Sequence, residues 1–304
     1  MLAVEIGAGP WPVSELWEGG PGSAVSQSAP MDSIDAAELA LSLPEVDPAR
    51  PSPARIYDYW LGGSQNFEAD REAGRLAAEA MPTLPAVAQA NRLFLRHVIH
   101  DLVAERGIRQ FLDLGSGVPT VGNVHEVAQA AEPDATVVYI DLDPVAIAHA
   151  RALLADNSTA HAALADLREP AAVLGHPLVR DAIDWSEPVA VLLFSVLHFI
   201  PDSSGPGDIV RAFMEPCAPG SYLALSHGGP DDDAPEAQQI AVREYASRTG
   251  VPVTPRTAEQ ITPWLAGLEV QEPGVADIRV WLPVLNECRH RIAPFFGALA
   301  RKPA

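Results

Sequence analysis

Phe111-Leu112-Asp113-Leu114-Gly115-Ser116-Gly117-Val118-Pro119-Thr120 is the stretch on which the reading of this chain turns. Gln110–Leu114 is an apolar run holding one acid, and it reads as a strand. The strand breaks into a Gly-x-Gly turn and leads into a helix over 121–131. Glycines there let backbone amides come closer to a ligand than a Cβ would allow. Taken alone, the pattern fits a tight strand-to-helix turn as well as a ligand loop. The third glycine of a dinucleotide fingerprint is missing, since position 120 is Thr.

Downstream, short apolar runs alternate with helical stretches. Strands are expected at 136–140, 160–164, 189–194 and 221–225, and the series ends with 268–271 and 278–282. A helix over 144–154 opens on Pro144, where the missing N–H costs nothing. Two amphipathic helices, 65–80 and 86–105, precede the first strand. Strand–helix alternation implies an α/β fold with a mainly parallel sheet and helices on both faces.

Acids stand at successive strand ends. Asp141 follows Asp113 by 28 positions. Asp143, next to Pro144, is the better helix cap. Asp141 is therefore left to accept hydrogen bonds from the two hydroxyls of a ribose. Asp166, after the third strand, can accept from the exocyclic amine of a purine while Leu167 packs on the ring. A dinucleotide would set its pyrophosphate at the helix N-terminus, where the Asp113 carboxylate is unfavourable. The same carboxylate suits an ammonium group, so the cradle favours S-adenosylmethionine. The expected cofactor contacts are Asp113, Gly115, Ser116, Gly117, Asp141, Leu142, Asp166, Leu167, Phe194 and Ser195.

The composition excludes other classes. Forty acidic against 20 basic residues give a formal charge of −20 over 304 residues, which repels phosphate backbones and anionic membranes. The longest apolar stretch, 189–200, contains Ser195 and His198 and is well short of the ~20 residues of a membrane span. No basic segment precedes an apolar one at the start, so no secretory signal is read. Cys217 and Cys288 are the only cysteines and suggest neither a disulfide framework nor a metal set. A cytoplasmic protein is expected. Residues 1–50 carry −7 of the charge and show no periodicity. They read as a disordered acidic tail, with a short helix near 33–41 and with Trp11 and Trp17 as its oddities.

Several segments carry a resemblance. Pro53-Ala54-Arg55-Ile56-Tyr57-Asp58-Tyr59-Trp60-Leu61-Gly62-Gly63, with Asn66-Phe67 and Asp70-Arg71, is similar to the start of an actinobacterial methyltransferase family, S-adenosylmethionine-dependent and formerly filed as a domain of unknown function. Ala90-Asn91-Arg92, residues 122–129, Val196-Leu197-His198-Phe199-Ile200-Pro201-Asp202 and the ending Trp281-Leu282-Pro283 also match. The resemblance covers about residues 51–304. It implies a Rossmann-like class I methyltransferase fold, with a seven-stranded sheet whose last strand is antiparallel and N-terminal helices as a cap. It implies no acceptor, although some members sit near natural-product pathways, hence an expectation of secondary metabolism. Trp60, in place of an aliphatic residue, and Gln65, in place of an acid, depart from the family pattern. The expected organisation is a tail over 1–50, a helical cap or lid over 51–106 and a cofactor-binding domain over 107–304.

His198 and His227 follow the fourth and fifth strands, where open α/β sheets bind ligands. Either can orient or deprotonate a hydroxyl nucleophile, or can be a packed histidine. His125 is read as fixing its loop. Arg55, Tyr57, Tyr59 and Asn66, in a segment rich in aromatics and glycine, are expected to form a lid over a small-molecule substrate, unless the segment is simply a packed helix. Asp231-Asp232-Asp233 reads as an acidic helix start, with no metal expected. Two alternatives to a methyltransferase stay open. One is a non-catalytic S-adenosylmethionine sensor, and the other is an NAD-dependent oxidoreductase.

Overall fold

The computed structural model describes residues 46–120, 122–287 and 291–304. The expected helix at 33–41, Trp11, Trp17 and Cys288 lie outside the described residues. Residues 46–50, expected in the tail, are against the body. Val46 packs with Phe67 and Val145, and the Arg50 carbonyl accepts from Arg55 Nη2 at 2.6 Å.

Three helices come first: α1 (Pro53–Trp60), α2 (Glu68–Ala80) and α3 (Leu84–Ala104). Pro85 occupies the first turn of α3, and Val87, Asn91, Phe94, Leu95, Val98 and Leu102 recur at helical spacing on its buried face. Then come β1 (Gln110–Leu114), α4 (Val124–Ala131), β2 (Thr136–Asp141), α5 (Pro144–Leu153), β3 (Ala160–Leu164), β4 (Ala190–Phe194), α6 (Pro206–Met214), β5 (Tyr222–Gly228) and α7 (Pro235–Thr249). Short strands β6 (Glu269–Val270) and β7 (Ala276–Asp277) precede β8 (Phe295–Arg301).

The sheet order is β3-β2-β1-β4-β5-β8-β6, with β7 also pairing β8. Strands β1 to β5 are parallel, while β8 runs antiparallel to β5. Both faces are covered, and successive residues go to opposite cores. Phe111 and Val137 join Phe94 and Leu192 on one side, while Leu112 and Val138 join Leu193 and Phe213 on the other. Strand order reverses between β1 and β4, so a crevice opens beyond their carboxyl ends. Registers such as Leu114 with Ile140 and Phe194 with Ser226 bring those ends to one edge.

The end of the sheet differs from the expectation. Residues 278–282 are no strand: Ile278–Trp281 is a helical turn, because the Asp277 side chain accepts from Arg279 N at 2.9 Å and caps it. The antiparallel strand is β8, whose Gly297, Ala298 and Ala300 are poor strand formers held by burial between β5 and the short β6 and β7. No helix among the described residues is long and apolar enough to cross a membrane.

Candidate active site

A cavity of about 770 Å³ opens over the strand ends. Its floor is the turn after β1. Gly115 N and Ser116 N both donate to the Ile140 carbonyl, at 2.8 and 3.1 Å, which folds the turn over β2. Gly115 has φ +73°, and a Cβ there would sit 2.4 Å from Val196 Cγ2, so only glycine fits. Gly117 has φ +67°, and its N–H donates to Asp141 Oδ2 at 2.7 Å.

All ten expected cofactor contacts line this cavity. Their states differ. Asp113 is 5% exposed, and no group among the described residues hydrogen-bonds its carboxylate. Desolvation raises its pKa to about 7, against the pull of Arg92 and helped by the charge of Asp141. Asp141 has a structural task that its sequence position concealed. It clamps Gly117 and also accepts from Asp143 N at 2.8 Å. A carboxylate offers about four acceptor sites, so capacity for two hydroxyls remains. Desolvation raises its pKa to about 6. Asp166 is engaged by Arg168, whose Nε lies 2.9 Å from both carboxylate oxygens. Burial raises the Asp166 carboxyl, but the bonds and charge of Arg168 outweigh it and hold it below the usual range. Leu142 is 58% exposed beside the cavity, an unshielded apolar face, whereas Leu167 is buried. Ser116 Oγ is buried without a partner. Ser195 has φ +55°, a strained value for a non-glycine residue. It turns the chain sharply from β4 into the 3-10 turn Leu197–Phe199.

Several contributors were not singled out as site residues in the sequence. Arg92 of α3 lines the cavity and donates to Thr120 Oγ1 at 2.9 Å, while its Nε is buried without a partner. The signal was an arginine beside the apolar stripe of a helix. Asn91 links the cap to the sheet, donating to Tyr57 Oη at 2.9 Å and accepting from Ser226 Oγ at 2.6 Å. Arg256, in a loop without pattern, is 2% exposed.

The two histidines separate. His198 lines the cavity, and its Nδ1 is buried without a hydrogen-bond partner. Burial, and then the neighbouring His227 and Arg256, hold its pKa well below the ordinary histidine value. His227 does not meet the expectation of a base. It is fully buried and outside the cavity lining. Its Nδ1 lies 2.9 Å from the Gly228 carbonyl and its Nε2 lies 3.1 Å from Arg256 Nη1. Both nitrogens are thus used: Nδ1 carries the proton and Nε2 accepts. Arg256 also donates to the carbonyls of Leu197 and Ile200, at 3.2 and 2.7 Å, and to Asp202 Oδ1. It braces the loop that presents His198. We expect Arg256→Leu to lower stability by about 2 kcal/mol, because two carbonyls and an imidazole nitrogen lose their donor. A Tm drop checks this, and a Tm equal to wild type would contradict it. Arg256→Lys should restore little, since an ammonium cannot make the fork of bonds.

Of the four residues expected in a lid, two reach the cavity. Arg55 and Tyr57 line the cavity. Tyr59 packs against α2, close to Gly74, and Asn66 donates to Asp58 Oδ2 and the Gly63 carbonyl at 2.8 and 2.9 Å. These two hold the cap together, because the buried Asp58 carboxylate fixes the 63–66 loop. Trp60 and Met81 line the cavity instead. His125 bonds Tyr139 Oη through both its N–H and Nδ1, each at 2.8 Å, and fixes the start of α4. Asp231 does not complement a helix start: α7 begins at Pro235, and Asp231 pairs with Arg291.

The chemistry follows from the charges. A buried carboxylate without a partner and a guanidinium with a free N–H fit the ammonium and carboxylate of an amino acid, and the half-free Asp141 carboxylate fits a ribose. A pyrophosphate would meet Asp113 and Asp141 at the turn. The residues present therefore fit S-adenosylmethionine.

A family model described as S-adenosyl methyltransferase matches residues 40–303. No curated protein matches the chain. A solved structure of a DUF574 family protein from Streptomyces avermitilis is 39% identical with TM-score 0.79, covering 84% of this chain and 99% of that one. A candidate methyltransferase from Thermobifida fusca is 38% identical with TM-score 0.76, covering 84% and 96%. A plantazolicin methyltransferase, 11% identical with TM-score 0.50 and covering 83% and 96%, shares the fold. The chain thus belongs to the S-adenosyl methyltransferase family, as a methyltransferase of the class I fold whose cofactor is S-adenosylmethionine.

Proposed function

We propose that this methyltransferase acts on a small-molecule acceptor in the cytoplasm, with a natural-product intermediate as the favoured kind. The carrying observation is the buried, unpartnered Asp113 carboxylate next to Arg92 in a cavity that continues to His198. In this reading Asp113 takes the ammonium and Arg92 the carboxylate of the methionine moiety. Asp141 takes the ribose hydroxyls, and Leu142 and Leu167 flank the purine, with Asp166 at its amine. S-adenosylmethionine supplies an electrophilic methyl group. The protein's own contribution is to hold the nucleophile close, aligned and dry. His198 accepts the acceptor's proton at a ring nitrogen. The residues that supply a protonless nitrogen and a water-poor wall lie on one loop, braced by Arg256.

The test is incubation of the protein with labelled S-adenosylmethionine and extract of the source cells, followed by mass analysis. One small molecule should gain a methyl group. Tight binding of S-adenosylhomocysteine with no methylated product from any extract would turn the reading into a sensor. Stronger thermal stabilisation by NAD than by S-adenosylhomocysteine would remove it altogether.

A further inference from the structure

Charge is divided unevenly within the cavity. Among the described residues, every charged residue lining it lies between Asp47 and Arg168. The lining contributed from Phe194 to Phe295 carries no Asp, Glu, Lys or Arg among the described residues. Apart from Asp47 and Arg50, which are exposed at the rim, the first group surrounds the strand ends assigned above to the cofactor. The second therefore faces the acceptor.

This second half is aromatic. Phe199 and Tyr245 lie nearly parallel, with centroids 6.0 Å apart and planes at 14°. Trp60 meets Tyr245 at 6.3 Å, and His198 stands edge-on to Phe199 at 4.3 Å. Its polar groups are mostly spent. Gln238 Nε2 donates to the Gly229 carbonyl at 2.8 Å, and Thr249 Oγ1 to the Tyr245 carbonyl at 2.8 Å. The polar groups left over are the His198 imidazole, whose Nδ1 is buried without a partner, and the Ser195 and Tyr245 hydroxyls, for which no hydrogen bond is found among the described residues.

We propose that the acceptor is an uncharged, largely apolar molecule with an aromatic ring, bearing one hydroxyl or neutral N–H that donates to the His198 imidazole. The proposal rests on the methyl-transfer reading and names its substrate class. Among the described residues the one cation near this side is Arg50, exposed at the rim beside Gly250, so a buried anionic acceptor would lie unpaired. Arg256 lies behind His198, and its Nε, Nη1 and Nη2 are all bonded to Asp202, Leu197, Ile200 and His227. A cationic amine would find no carboxylate and would be buried unpaired. A flat ring finds faces to lie on, and a donor finds an acceptor in the His198 imidazole, with the Tyr245 hydroxyl nearby in the same lining.

The experiment uses the full chain saturated with S-adenosylhomocysteine and three probes of one shape: 2-naphthol, 2-naphthoate and 2-naphthylmethylammonium. Calorimetry should show 2-naphthol binding about tenfold or more tighter than either ion, as burial of an unpaired charge requires. An ion that binds as tightly, or 2-naphthol that does not bind up to its solubility, overturns the proposal. Val242→Glu places an acid at a half-buried position of α7 in the cavity wall. It should shift the preference between the neutral and cationic probes by about tenfold toward the cation, with affinity for S-adenosylhomocysteine unchanged. An unshifted preference would also overturn the proposal. Failure to bind S-adenosylhomocysteine is seen in the first titration and condemns the methyl-transfer reading, and with it the proposal. It is thereby distinguished from failure on the probes alone.

Discussion

Asp113→Asn should weaken S-adenosylhomocysteine binding by about a hundredfold at pH 8, with the fold intact. The substitution keeps the shape and removes the charge from a site that a charge-assisted bond to an ammonium would use; such bonds contribute about 1.5–3 kcal/mol. In the ligand-free protein desolvation lifts the Asp113 carboxyl to about 7. Its folded value lies above its unfolded value, so ionisation costs stability once pH exceeds the ordinary carboxyl range, and the full cost is present above pH 7. Ligand-free Asp113→Asn should therefore melt higher than wild type at pH 8. Binding runs the other way, because the ammonium needs the carboxylate. Wild-type affinity should fall by up to about tenfold per pH unit below 7, with Asp141, lifted to about 6, adding to the loss lower down. Calorimetry from pH 8 to 5.5 checks both points. A flat profile, or near wild-type affinity in the Asn variant, would remove Asp113 from the site.

His198→Ala should lower kcat by about a hundredfold or more, within the usual range for a positioned acid or base, and leave S-adenosylhomocysteine affinity within about twofold. The pH profile separates the two predictions. Burial, His227 and Arg256 keep His198 well below the ordinary histidine value, so its ring stays neutral, with one lone pair to accept a proton, through neutrality. With both ligands saturating, kcat should stay level from pH 8 to about 6, the interval over which affinity for the cofactor falls. A kcat that declines through pH 7 along with binding would mean that His198 is not the group that titrates. A His227→Ala variant should change stability more than the chemical step, because its ring serves Arg256 and the Gly228 carbonyl.

The strand-end side of the cavity was legible because its determinants are local. Strands with few polar residues have no solvent face, so they sit in the sheet's middle, and the glycine turns after them and the acids at their ends must lie at the crevice. That covers Gly115, Gly117, Asp113 and Asp141. His227 was misplaced because position relative to a strand end does not say which face a side chain takes. Ser226, one residue earlier, turns to Asn91 of α3, and His227 turns away from it to Arg256. Half of the lid was misread for a similar reason: Asp58 converts a glycine-rich, mobile-looking loop into a hydrogen-bonded corner. Residues 278–282 carry β-branched and aromatic residues, yet one carboxylate cap decided for a helical turn. Conversely, β8 is rich in alanine and glycine, and only its neighbours make it a strand. Arg256 had no signature, since its partners, Asp202 and the carbonyls of Leu197 and Ile200, are more than 50 residues away in sequence.

Arg55 joins places far apart in the chain. Its guanidinium, 4% exposed, holds Asp70 at 2.8 Å, Asp143 at 2.9 Å and the Arg50 carbonyl. Asp143 is also the cap of α5, two residues past the acid assigned to the ribose. The rivet sits at the nucleoside edge, and moving the first helix alone would part a buried cation from two anions, at a cost of several kcal/mol while the anions stay buried. Opening of that edge is opposed by these ion pairs. A hinge on the aromatic side, where the contacts are rings without ions, would let the two ligands exchange on different clocks.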